Sequence, residues 1–288
     1  MLRIGLFILT NLAVMAMLAL VASLTGMDRY AGGIGPLLMY SAVIGFTGSF
    51  FSLLISKFVA KWTTGAKVIT QPSNEVEAWL LQTVKRQADA AGIGMPEVAI
   101  YPGPESNAFA TGAFKNSALV AVSVGLLNNM RRDEVEAVLA HEVSHIANGD
   151  MVTMALLQGV LNTFVVLISR IVAQVADSAL RRANDNSGPG FVYFGVSMVM
   201  QLLLGVLASI ILAWFSRRRE FRADAGAAKI AGANKMIAAL ERLKGGGDST
   251  LPQSVQVMGI AGHKAMRLFA THPPLDDRIA ALRGQSLS

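Results

Sequence analysis

Residues 140–150 read AHEVSHIANGD and hold two of the four histidines in a chain of 288 residues, four positions apart, with a glutamate directly after the first. On a helix of 3.6 residues per turn, His141 and His145 differ by about 40° around the axis, so both imidazoles leave one face and can bind one ion. Glu142 stands about 100° away, where its carboxylate can reach past such an ion to a water without being a ligand. Next to a Lewis-acidic ion that water becomes acidic enough for Glu142 to deprotonate, and the same group can then protonate the amine leaving a hydrolysed peptide. Val135, Val138, Leu139 and Val143 keep a helical period, which predicts one helix over Arg132–Asn148 carrying the whole motif.

A catalytic zinc takes three protein ligands and keeps one position open. The chain has no cysteine, which excludes disulfides, thiolate ligands and cysteine nucleophiles and leaves the third place to His, Asp or Glu. The metzincin continuation is absent, since Asn148 stands where a glycine would and no histidine follows nearby. Candidates are Glu220, Asp224, Asp150, His263 and His272. Glu220 and Asp224, in SRRREFRADAG at 216–226, are four apart on a predicted helix, so one can bind the ion while the other accepts the free N–H of a ligand histidine and fixes its tautomer. Spacing does not choose between this pair and His272, and ion pairs with Arg217, Arg218, Arg219 and Arg222 would also account for both acids. A di-iron carboxylate site is disfavoured, because four histidines are too few and no repeat of Glu-x-x-His is present.

Outward from the motif the chain is that of a membrane protein: 53% hydrophobic and 15% charged, with mean hydropathy +0.48, against about 25% charged in soluble domains. Charge-free runs at 4–24 and 34–56 are each long enough for a bilayer core and form a hairpin, the first retained rather than cleaved as a signal peptide. A run at 191–215 is a further span, and 151–176 is a fourth whose Gln158, Asn162, Arg170 and Gln174 share one broad side. An arginine inside a span faces protein, water or an interface, so this side is expected to be protected; the competing reading is an amphipathic helix on the surface. The net charge of +6 and pI near 9.8 come from basic residues flanking these runs, which argues for positive-inside topology and against nucleic acid. Lys57, Lys61 and Lys67 after the second run and Arg217–Arg219 after the fourth put the motif in the cytoplasm, despite Arg181 and Arg182, which Asp177 and Asp185 offset.

Between the second and third runs a helix is predicted at Asn74–Ala91, with Val76, Leu80, Leu81, Val84 and Ala88 on one face. EVAIYP at 97–102, NAFATG at 107–112 and SALVAVSVGLL at 117–127 read as strands of a small sheet. After the fourth run come two helices, Glu220–Ala231 and Asn234–Lys244, a loop over 245–262, a helical stretch HKAMRLFA at 263–270, and a closing helix in DDRIAALR at 276–283. The organisation expected is a transmembrane hairpin at 1–60, a cytosolic zincin part at 61–150, a second hairpin at 151–216, and a helical part at 217–288 that completes the site. The fold class is an α+β membrane protein, mostly helical, with a zincin-like catalytic domain, a small β-sheet and about four apolar spans.

An apolar hairpin followed in order by SNAFATG, HEVSHIANGD, RRREFRADAGAAKIAG, MIAALERL and THPPLDDRIAAL resembles the bacterial HtpX family of membrane zinc proteases, which is related to the CAAX prenyl endopeptidases. The likeness covers nearly the whole chain, and no motif residue is missing. The resemblance implies His141, His145 and Glu220 as ligands of one zinc ion per subunit, Glu142 as the catalytic carboxylate, and Asp224 orienting a ligand histidine. It implies that Asn107, Ala108, Phe109 and Ala110 form a substrate-binding edge strand. It also implies that His272 approaches the site to stabilise an oxyanion, with Arg278 bracing the turn. The activity it implies is zinc-dependent endopeptidase action on misfolded or damaged membrane proteins at the bacterial inner membrane, in stress-linked quality control. The partners are then the lipid bilayer, unfolded polypeptides and other quality-control proteases, not nucleic acid. A binding adaptor and a prenyl-protein processor are the rival readings, and the short four-run layout argues against the second.

Overall fold

The computed structural model describes residues 34–180, 190–245 and 271–285. The apolar run at 4–24, the loop after Gly245, His263 with the stretch 263–270, and Arg181, Arg182 and Asp185 lie outside those residues. In chain order the elements are α1 (Ile34–Thr64), β1 (Lys67–Val68), α2 (Glu75–Ala91), β2 (Glu97–Tyr101), β3 (Ala108–Thr111), β4 (Leu119–Ser123), α3 (Val124–Asn129), α4 (Arg132–Asn148), α5 (Asp150–Leu180), α6 (Phe191–Ala231), α7 (Ala233–Gly245) and α8 (Leu275–Gln285). Backbone contacts divide the chain into two compact units, one of 1–52 with 155–212 and the other of 53–154 with 213–288.

The described residues of the first unit are almost all helical. Among the described residues, α1, α5 and α6 are long and apolar enough to cross a membrane. Gly45 and Gly159 let α1 and α5 touch: a Cβ on Gly45 would lie 2.6 Å from the Gly159 carbonyl, and one on Gly159 would lie 2.7 Å from the Phe46 ring. The expected polar flank of α5 is covered at Gln158, Asn162 and Arg170 but not at Gln174, which is exposed. Arg170 donates to the Tyr40 hydroxyl at 2.7 Å and stacks 4.1 Å above its ring, and Gln158 donates to Asn162 at 2.7 Å.

The second unit is α+β. Its four-stranded sheet runs β1-β2-β4-β3, with β2 parallel to β4 and the other two pairings antiparallel. All five residues of β4 are buried, as a central strand requires, and among the described residues no strand pairs with the outer side of β3. Val98, Val120 and Val122 on one face pack with Leu80 and Val84 of α2, Leu139 and Val143 of α4, Leu240 of α7 and Leu282 of α8 into the main core. α2 starts where the Asn74 side chain accepts the Glu77 N–H at 2.9 Å and ends on Gly92 in the left-handed region.

Besides β1, which the sequence reading did not contain, two elements differ from it. The strand expected to reach Leu127 stops at Ser123, because the Ser123 hydroxyl accepts the Leu126 N–H at 2.9 Å and caps α3. Gly125 fits this turn because a Cβ there would come within 2.1 Å of the Pro104 carbonyl oxygen. The helix expected to begin afresh at Glu220 is continuous with the apolar run before it, giving 41 helical residues in α6. Between Phe215 and Glu220 there are only one serine and three arginines, with no Gly or Pro to break the hydrogen-bond ladder.

Candidate active site

The site lies in the second unit and is built from α4, the first residue of α5, the C-terminal part of α6, and the segment entering α8. α4 begins with the Glu134 carboxylate accepting the Arg131 N–H at 2.8 Å and ends on Gly149, in the left-handed region at φ 68°. That one residue separates α4 from α5. Gly226 admits α6 against α4, since a Cβ there would meet the Ser144 hydroxyl at 2.6 Å. Glu220 therefore arrives beside the histidine pair.

The Nε2 atoms of His141 and His145 are 3.1 Å apart. Glu220 Oε1 lies 3.3 Å from His145 Nε2, and Oε2 lies 3.6 Å from His141 Nε2. Four-coordinate zinc with bonds of about 2.0–2.1 Å would separate its ligand atoms by about 3.3 Å, so the three groups are spaced to share one ion. All three are buried, and among the described residues they are the group of His, Asp and Glu side chains that could hold a metal. Glu220 Oε1 supplies a second sign of fit: it is buried with no hydrogen-bond partner, a state that a cation between it and the imidazoles relieves.

Each imidazole is held from behind by a carboxylate. His141 Nδ1 lies 2.9 Å from Asp224 Oδ1, and His145 Nδ1 lies 2.6 Å from Asp150 Oδ2. In the neutral imidazole, donation from Nδ1 leaves the Nε2 lone pair facing the site. The acids are anchored in turn. Arg278 donates from Nε and a terminal nitrogen to the two oxygens of Asp224, at 2.8 and 2.6 Å, and Arg222 donates to Asp150 at 3.3 Å. Arg278, expected to brace the turn before α8, thus carries its buried guanidinium inward onto Asp224.

Asp150, weighed from the sequence as a third ligand, faces His145 Nδ1 instead. The only signal for that role in the sequence is its place directly after the Gly149 cap. His272 Nδ1 is 2.8 Å from Glu220 Oε2, while its side chain remains 64% exposed. Glu142 is half-buried on the next face of α4.

Burial pushes the His145 imidazole down, but the carboxylates of Asp150 and Glu220 beside it outweigh this and raise it to about 9. His141 is raised also: burial opposes the shift, and Asp224 and Glu220 produce it. A cation must displace a proton that His145 holds at neutral pH. Uptake of one divalent ion at pH 7 is therefore expected to release at least one proton, and apparent affinity should climb as pH rises toward about 9. Calorimetry in buffers of different ionisation enthalpy reads this directly, and affinity independent of pH between 7 and 9 would refute it.

β3 lies against α4. Asn107, just ahead of the strand, accepts the Ser123 N–H at 2.9 Å and donates its own N–H to the Ser123 hydroxyl at 3.1 Å. Antiparallel alternation then turns the backbone groups of Phe109 and Thr111 into the ladder and those of Ala108 and Ala110 outward, to the open edge. The Phe109 ring packs on Tyr101, with centroids 5.6 Å apart.

Comparison with known proteins agrees with this geometry. Residues 74–286 match the model of "Peptidase family M48". The chain is 58% identical over 287 residues to "Protease HtpX" of Stenotrophomonas maltophilia (strain R551-3), covering 99% of each. It is 59% identical over 288 residues to "Protease HtpX" of Xanthomonas campestris pv. campestris (strain B100), covering 99% of this chain and 98% of the relative. The crystal structure of S. mikatae Ste24p shares the fold with a TM-score of 0.64 at 17% identity, over 97% of this chain; the chain spans 64% of that protein's length. With a family match over residues 74–286, relatives aligned end to end, and two imidazoles converging with a glutamate, the chain belongs to peptidase family M48 and is a membrane metallopeptidase.

Proposed function

We propose that the metal is zinc, one ion per subunit held by His141, His145 and Glu220, and that the enzyme cuts misfolded or damaged membrane proteins on the cytoplasmic side of the bacterial inner membrane. The observation that carries this reading is the convergence of two Nε2 atoms and one carboxylate at 3.1–3.6 Å beside an open strand edge. Two imidazoles and one carboxylate at four-coordinate spacing suit zinc. When bound, zinc supplies Lewis acidity, polarising a peptide carbonyl and acidifying water.

This chain's residues supply the rest. An extended peptide pairs with the outward N–H and C=O groups of Ala108 and Ala110, and Asn107 contacts it near the scissile bond. Glu142 accepts the proton of the attacking water and passes it to the departing amine. His272, tied through Nδ1 to Glu220, has its other ring nitrogen to offer to the carbonyl oxygen as charge develops there. Backbone pairing reads no particular side chain, which suits unfolded polypeptide of varied sequence. Lys57, Lys61 and Arg217–Arg219 support the cytoplasmic placement through the positive-inside rule. Cooperation with other quality-control proteases follows from the resemblance to the HtpX family.

The test is metal removal. Full-length protein in detergent should cut unfolded casein, lose at least about 100-fold in rate when stripped by a chelator, and recover with one equivalent of zinc. Cutting that persists in protein shown by elemental analysis to be metal-free would overturn the proposal. The edge strand has its own test. Proline is tolerated where a strand N–H points away from the ladder, so Ala110→Pro should fold and keep its metal. It removes one hydrogen bond to substrate, worth about 1 kcal/mol, and kcat/KM should fall about five- to tenfold. An unchanged kcat/KM would show that substrate does not pair there.

A further inference from the structure

The cytoplasmic end of α1 presents an apolar stripe that the peptidase chemistry does not use. Phe51, Leu54, Phe58 and Trp62 are spaced by three, four and four residues, the period that keeps side chains on one helical face. They are 41%, 61%, 70% and 70% exposed, so exposure rises toward the end that leaves the apolar run. A helix leaving a bilayer ordinarily marks its exit with lysines held in water. Here Lys57 and Lys61 turn aside to the same carboxylate, Glu97 on β2, at 2.7 and 3.3 Å. Two ammonium groups sharing one carboxylate leave a single net positive charge beside two large, exposed aromatic rings.

The geometry points to a lipid-docking surface: Phe58 and Trp62 lie in the headgroup–acyl boundary of an anionic phospholipid bilayer, and the residual charge of the lysine pair faces the lipid phosphates. The occupant follows from continuity. Phe51 and Leu54 belong to the apolar run of a helix long and apolar enough to span, and the same stripe continues for about two further turns without a break. Tryptophan and phenylalanine next to lysine are the residue types that partition to this layer. α1 closes at Thr64, and Gly65, in the left-handed region at φ 67°, is one residue from β1 and the sheet. The inference rests on α1 crossing the membrane, not on the metal or the peptidase reading.

The chain has three tryptophans and no cysteine, which makes the test direct. In full-length protein carrying Trp79→Phe and Trp214→Phe, reconstituted into vesicles of phosphatidylcholine and phosphatidylglycerol, Trp62 emission should be quenched by half or more by lipids brominated near the headgroup. Quenching by lipids brominated near the chain ends should be weaker. No quenching by either lipid overturns the proposal, whether acrylamide reaches the ring, as in water, or fails to, as under a protein cover. Phe58→Cys bearing a nitroxide gives a second reading in an otherwise wild-type chain. Greater relaxation by oxygen than by a water-soluble nickel chelate is expected, and the reverse order overturns the assignment.

Discussion

Glu142→Gln is expected to leave the metal in place and remove cutting, with kcat on an unfolded substrate falling by about 10²–10⁴, the range over which a positioned acid–base group acts. The change is nearly isosteric, and Glu142 is half-buried on α4 without joining the carboxylates that orient the imidazoles. The amide can neither accept a proton from water nor return one to an amine. Metal content, thermal stability and KM should stay close to wild type, which separates a lost proton carrier from a collapsed site. Equal rates for the two proteins would remove Glu142 from the chemistry and leave the fold to serve binding alone.

Glu220→Ala should fail earlier, at the metal. The side chain is 1% exposed and sits at the meeting point of His141, His145, His272 and an Arg278 nitrogen 3.5 Å away. On the proposed ligand set its loss takes away one of three groups and leaves two imidazoles, which cannot alone complete the set that a catalytic zinc takes. An affinity loss well beyond the 10–100-fold typical of outer-shell carboxylates is expected, so that dialysed protein carries almost no metal. Arg278 and His272 also lose a charge partner, so melting temperature should fall even without metal. Full occupancy at one ion per chain in Glu220→Ala would exclude Glu220 as a ligand and return Asp150, Asp224 and His272 to consideration.

The helices were legible where one pattern dominated. α4 has the boundaries its period indicates, and α2 begins one residue after the asparagine that caps it. Short-range signals were harder to read when they competed. Val124 and Leu126 look like strand residues, yet one serine hydroxyl and a glycine without room for a Cβ turn them into α3. β1 has only two residues, too short for any alternation to register.

In the site, spacing along α4 and α6 identified His141, His145, Glu220 and Asp224 as pairs. Which acid faces the metal point depends on how the two helices pack. That is set by the contact of Gly226 with Ser144, two residues that spacing does not link. The pairing of Arg278 with Asp224 joins residues 54 positions apart, a link that spacing along one helix does not show.

The single-glycine joint at Gly149 has a consequence for how the enzyme can be divided. Asp150, which steadies His145, is the first residue of α5, and Glu220 and Asp224 belong to the same unbroken helix as the last apolar run. Anchor and catalyst are therefore one covalent piece of architecture. A scission that freed the sheet-bearing portion by removing α5 and α6 would take away the carboxylate behind each imidazole together with Glu220. A shed form that lacks α5 and α6 in full is therefore expected to be inactive.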